Sequence, residues 1–224
     1  MSHSPELPRR GFLGRLAAGA AALTALSTPA VARAERVLAR RADDPDAWLN
    51  ALTGKHRQIY DVISVEQGGP GTAFAHNFLN ANNSGYGLSD KDVNAVVSFR
   101  HFAAVLGLNN DMWAKYHIAD MVKQLDANSK LSGDTNPLVG KPEDANSHES
   151  SSITALASRG VVFTVCGMAM GFVAGQLAKQ TSQAADAVHA ELRRNFVPNG
   201  IEVVAGVIAV NRAQEHGLSY VYVG

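Results

Sequence analysis

The chain has 224 residues, 46% of them hydrophobic, 18% charged and 7% aromatic, with 20 Lys+Arg against 20 Asp+Glu. That balance is too apolar for a disordered chain and lacks the basic excess of a nucleic-acid binder, so no nucleic-acid partner is expected. One cysteine excludes an internal disulfide framework and a multi-cysteine zinc or iron–sulfur centre, and the length fits one domain with a sizeable core.

Residues 1–34 read as an export address. Arg9 and Arg10 precede Gly11-Phe12-Leu13, an apolar stretch follows over 16–31, and Ala32-Arg33-Ala34 closes it. A charged start, an apolar middle and an A-x-A site are the parts of a signal peptide. The paired arginines followed by Phe-Leu make it a twin-arginine signal, which exports cargo already folded. The apolar stretch is rich in Ala, Gly, Ser and Thr, so no stable membrane span is expected after cleavage. Cleavage after Ala34 removes four arginines and one glutamate, leaving a mildly acidic periplasmic chain. A lone cysteine is unusual in that oxidising compartment. It reads as an inert core residue, an intermolecular disulfide or a thiol kept for chemistry.

Residues 35–54 read as an N-terminal helical arm, with Asp43-Asp44-Pro45-Asp46 as a break, and 55–224 as a single α/β domain. The segment 57–65 (RQIYDVISV) is β-branched and alternating, which predicts a strand. Gly68-Gly69-Pro70-Gly71 predicts a turn and 72–82 a helix. A second strand is predicted at 93–99 (VNAVVSF), running into a helix over 100–106. A long excursion spans 109–147, helical over 112–125 and then rich in Asn, Asp, Ser, Gly and Pro. After a short helix at 150–157 come a buried-type strand at 161–165 (VVFTV), a Cys166-Gly167 turn and a helix over 168–178. A helix at 184–194, a strand at 201–204, a helix at 206–215 and a strand at 218–223 complete the chain.

Strands alternating with helices predict a three-layer α/β/α domain with a mainly parallel five-stranded sheet. The uncharged run 161–178, with Gly167, Gly171 and Gly175 at G-x-x-x-G spacing, also has the look of a transmembrane helix. Its β-branched first part and the Cys-Gly break favour a strand and a helix instead. Glycines at that spacing also let a helix lie close on a sheet.

The candidate reactive atom is the Cys166 sulfur. It ends a strand, at the sheet edge where α/β proteins bind ligands, and it opens a helix whose free N–H groups stabilise a thiolate. Gly167 leaves room for a ligand to approach. Arg100 and His101 follow the second strand and can sit at the same edge, to hold an anionic sulfur species or stabilise a thiolate. Gly68, Gly69 and Gly71 can offer backbone amides to an anion, although the run is neither G-x-G-x-x-G nor a Walker A loop. His76 is a lesser candidate base, and Trp113, Lys115, Tyr116 and His117 form a helix cluster suited to packing, a lid or an oligomer contact. Histidine spacing implies no metal site, no motif implies a cofactor, and Gly-x-Ser-x-Gly is absent. With no second cysteine, persulfide carriage, mixed-disulfide formation or covalent catalysis is left.

The segments VVFTVCGMAMGF (161–172) and FVPNGIEVVAGVIAVNRAQEHGLSYVYVG (196–224) resemble the C-terminal half of the DsrE/DsrF-like family. The shared features are a strand ending in Cys, a Pro-x-Gly strand, a helix with Gln-Glu-x-Gly and a terminal Tyr-containing strand. The likeness covers 160–224 and extends more loosely to 57–82. It implies an α/β/α fold and a homo-oligomer. It also implies a cysteine at the position of Cys166 that carries sulfur as a persulfide between proteins. The expected partner is a small sulfur species or a sulfur-carrying protein. The alternative is a non-catalytic periplasmic module that binds a small anion, or a structural oligomeric subunit, with Cys166 buried and inert.

Overall fold

Five strands form one sheet in the order β4-β3-β2-β1-β5, every neighbouring pair parallel. They are β1 (His56–Val62), β2 (Val93–Phe99), β3 (Val162–Cys166), β4 (Gly200–Val203) and β5 (Ser219–Val223). The structure is a computed structural model describing residues 44–223, and the compact unit within it begins at Trp48. The residues assigned to the signal peptide, 1–34, and the first part of the predicted arm, 35–43, lie outside the described residues. The described part of that arm, 44–54, holds a single helical turn, α1 (Ala47–Asn50).

The central strands are apolar on both faces because both faces are covered. In β2 every residue from Ala95 to Phe99 is buried, whereas the edge strands β4 and β5 are half exposed. The sheet divides the core into two unequal layers. Tyr60, Val62, Val97, Phe99, Phe163 and Val165 face the large one, where Phe99 stacks on Phe163 with ring centroids 6.0 Å apart. Trp113 is fully buried in this layer and donates its indole N–H to the Val105 carbonyl. Ile59, Val96 and Val162 face the thin layer with Leu49, Leu52, Ala213 and Leu218.

Helix α2 (Gly68–Tyr86) begins four residues earlier than its composition predicts, so the Gly-rich run is its first turn rather than a separate turn. Helix propensity argues against that start. Packing overrides it, because a Cβ on Gly71 would lie 2.6 Å from Val62 Cγ2 and one on Gly68 2.3 Å from Leu106 Cδ1. Pro70 is tolerated because first-turn N–H groups have no partner inside a helix. The left-handed Gly87 (φ +66°) ends the helix.

After β2 the chain makes a 3₁₀ helix, His101–Gly107, where an α-helix was expected. The predicted helix at 112–125 is split into α3 (Asn110–Tyr116) and α4 (Ile118–Leu125) by the left-handed His117. The rest of the excursion is irregular apart from a 3₁₀ turn at Pro142–Asn146. It is anchored by the buried Asn136, which donates to the Leu106 and Leu108 carbonyls at 2.7 Å each. Helices α5 (Ile153–Ser158), α6 (Gly167–Thr181), α7 (Ala185–Arg194) and α8 (Gly206–Glu215) complete the fold.

The arrangement is a three-layer α/β/α fold. Among the described residues no helix is long and apolar enough to cross a membrane. The glycine stripe of α6 does not work as its spacing suggests. A Cβ on Gly171 or Gly175 would meet nothing within 4 Å, so neither glycine is needed for close approach to the sheet.

Candidate functional site

The site forms where two helices leave the sheet on opposite sides. Cys166 of β3 and Val203 of β4 are register partners. Helix α6, which follows β3, buries Met170, Val173, Ala174 and Leu177 in the large layer. Helix α8, which follows β4, puts Ala213 in the thin layer. Adjacent strands whose helices diverge leave a crevice at their carboxyl ends, the usual ligand position in open α/β sheets.

A cleft of about 420 Å³ occupies that crevice. Cys166 lines it, together with Arg100, His101 and Phe102 from the end of β2. Helix α6 contributes Met168, Ala169, Phe172 and Val173, and the start of α8 contributes Ala205, Gly206 and Val207. The wall is therefore mostly apolar, with one thiol, one guanidinium and one imidazole. Cys166, Arg100 and His101 share it. Gly68, Gly69 and Gly71 do not line it.

Cys166 caps its own helix. Its backbone is extended (φ −66°, ψ 112°) and Sγ accepts the Ala169 N–H at 3.5 Å. A sulfur in that place lies at the N-terminal end of α6, where the partial positive charge of the helix is concentrated. The residue is 7% exposed, enough to line the cleft but not to stand out from the surface. Gly167 is held by packing, since a Cβ there would lie 2.9 Å from the Val203 carbonyl oxygen.

Arg100 is fixed from below. Its Nε and Nη2 donate to the two oxygens of Asp61 at 2.6 and 2.8 Å, a two-point pairing that sets the plane of the guanidinium. Asp61 is buried, on the thin-layer face of β1, and accepts a third hydrogen bond from Tyr220 Oη at 2.8 Å. The hydrogen bond to Asp61 holds the Arg100 guanidinium above its ordinary pKa, outweighing burial. Burial, and then the bond to Asp61, push the Tyr220 hydroxyl up. Arg100 Nη1 has no partner among the described residues. Helix α8 begins against this side chain, because a Cβ on Gly206 would lie 2.5 Å from Arg100 Cβ.

His101 adopts a left-handed backbone (φ +53°), its ring edge-on to Phe102 at 4.5 Å. That conformation costs a non-glycine residue about 1–2 kcal/mol, and such strain concentrates at functional sites.

Sequence reading missed Asp61, Tyr220 and the apolar wall. Asp61 left one trace, a lone carboxylate inside the apolar segment IYDV. The other candidates lie elsewhere. His76 Nε2 donates to the His148 carbonyl at 2.9 Å. Lys115 and the mostly buried Tyr116 both bond Glu191. Among the described residues no cluster of His, Cys, Asp or Glu is placed to hold a metal ion.

The fold and site define a parallel α/β/α domain with a cysteine at the floor of an apolar cleft. No family model, curated protein or solved structure matches the chain.

Proposed function

We propose that the chain is an exported, single-thiol sulfur-transfer protein of the DsrE/DsrF-like kind, working in the periplasm as a homo-oligomer. The reading is supported chiefly by the position of Cys166. Its sulfur lies in a ligand-sized cleft, at a helix N-terminus and beside an oriented arginine. In the transfer step the thiolate attacks the outer sulfur of a persulfide, R–S–SH. A Cys–S bond to that sulfur forms and the donor S–S bond breaks. The donor leaves as R–S⁻ with the bonding pair, and Cys166 becomes a persulfide. The step needs no external oxidant or reductant. A sulfur-carrying protein or a small donor can supply R. Arg100 and His101 hold negative charge on the sulfur species.

The low exposure of Cys166 and the apolar wall favour, as a second reading, a binding module with an inert thiol. Mass spectrometry of the mature protein after incubation with an organic persulfide separates the two. The expected result is a gain of one sulfur atom, iodoacetamide labelling of the folded protein at neutral pH, and loss of both in Cys166→Ser. A thiol that reacts only after unfolding would leave the binding module.

A further inference from the structure

We infer that the Cys166 cleft binds a small amphipathic anion, an apolar body carrying a single carboxylate or sulfonate, rather than an inorganic sulfur anion. Three features of the cleft point to it. A volume of about 420 Å³ is far larger than sulfide or thiosulfate needs and falls in the range of organic ligands. Met168, Phe172 and Val207 line it although they are half or more exposed to solvent, so an apolar ligand would cover surface that water now wets. No carboxylate lines the cleft, whereas Arg100 and His101 both do, and Arg100 Nη1 is left over from the pairing with Asp61.

The charge is therefore at one end of the cleft, where β2 ends, and the apolar surface is on the two helices. A ligand matching that layout has a polar head and an apolar tail. Asp61 and Tyr220 act as positioning residues. They hold the guanidinium so that one nitrogen is free for the head. An inorganic anion would gain the arginine contact but leave the helix walls wet.

The inference deepens the sulfur-transfer reading, on which the chemical use of the site rests. The R group of the donor R–S–SH would be this amphipathic anion, and it would leave the cleft as the corresponding thiolate. Binding itself does not require the thiol.

Calorimetric titration of the mature protein, with octanesulfonate, octanamide and acetate as probes, tests the inference. Octanesulfonate is expected to bind roughly ten-fold or more tightly than octanamide, as one charge-assisted hydrogen bond provides, and acetate weaker than both. Phe172→Gln, on an exposed helix face, should weaken both eight-carbon probes. The double variant Asp61→Asn/Arg100→Gln, which strands no buried carboxylate, should lose most of the preference for the charged probe over the neutral one. Equal affinity for octanesulfonate and octanamide on the wild type, or acetate binding as well as octanesulfonate, would overturn the inference. So would binding indifferent to Phe172→Gln. Cys166→Ser should retain octanesulfonate binding while losing sulfur loading, so the two ideas fail separately.

Discussion

Beneath the cleft the thin-layer face of the sheet carries a row of polar side chains. Asp61 is in register with Ser98, and Ser98 with Thr164. Asp61 is fully bonded, but the Ser98 and Thr164 hydroxyls are completely buried and have no hydrogen-bond partner among the described residues. A buried hydroxyl without a partner costs about 1–3 kcal/mol. Valine keeps the shape and β-branching of threonine and removes the oxygen. Thr164→Val is therefore expected to raise the unfolding free energy by about 1 kcal/mol, or Tm by roughly 2–4 °C for a domain of this size. A fall of similar size in urea titration would show that the hydroxyl has a partner, and the account of an orphaned row would be wrong. The row explains why one part of the site was legible and another was not. Cys166 is visible in the sequence because an apolar strand stops there and a helix starts. The charge network is not, because Asp61 bonds an arginine 39 positions away and a tyrosine 159 positions away. Only the pairing of β1 with both β2 and β5 brings them together.

Between elements, the buried Arg159 acts as a tie. From the end of α5 its Nε and Nη2 bond both oxygens of Asp90 at 2.9 and 3.0 Å, and Nη1 and Nη2 bond Asn80 and Asn83 of α2 at 2.8 Å. Its side chain is only 3% exposed, so it cannot exchange these bonds for water. Arg159→Met should lower stability by about 3 kcal/mol, the lower end for breaking a buried pair, and Tm by roughly 6–12 °C. Burial alone would push the Asp90 carboxyl up. The Arg159 bond and charge, together with Asn83, more than offset that and hold it below the usual carboxylate range. A carboxylate lowered in the folded state gives stability that is present above about pH 4 and lost as pH falls through the folded value. Stability of the wild type should thus decline below pH 4 more steeply than that of Asp90→Asn, and identical acid limbs in urea titrations would refute the tie. Such ties decide what periodicity leaves open. The strands β2 and β3 and the helices α7 and α8 follow from local pattern alone. The early start of α2 does not, because Gly68 and Gly71 are poor helix formers held by Leu106 and Val62. The 3₁₀ helix after β2 was equally hidden, since a 3₁₀ and an α-helix share the same apolar residues over one or two turns.

At the scale of the whole molecule, a chain with one cysteine forms no disulfide within itself. Its one cysteine is unbonded and no described helix is long and apolar enough to cross a membrane. The proposed twin-arginine route demands cargo that folds before export, in the reducing cytoplasm, and no internal disulfide has to form there. The proposal couples two otherwise separate sets of residues, the paired arginines at 9 and 10 and the tie at Arg159. If the route is the one proposed, Arg9→Lys/Arg10→Lys should leave folded protein in the cytoplasm with the Tm of the wild-type precursor, because the substitutions fall outside the unit that begins at Trp48. Arg159→Met with the signal intact should also lower the periplasmic yield, for the opposite reason. Losing about 3 kcal/mol from the 5–15 kcal/mol typical of a domain raises the unfolded fraction by roughly 100-fold, and an export route for folded cargo rejects that fraction. Fractionation with a protease-protection control reads both variants. Unchanged export of the double-lysine variant would remove the twin-arginine address, and with it the argument that Cys166 works outside the cytoplasm. Loss of export in the double-lysine variant alone, with Arg159→Met exported at the wild-type level despite its lowered Tm, would keep the address but refute folding as its condition.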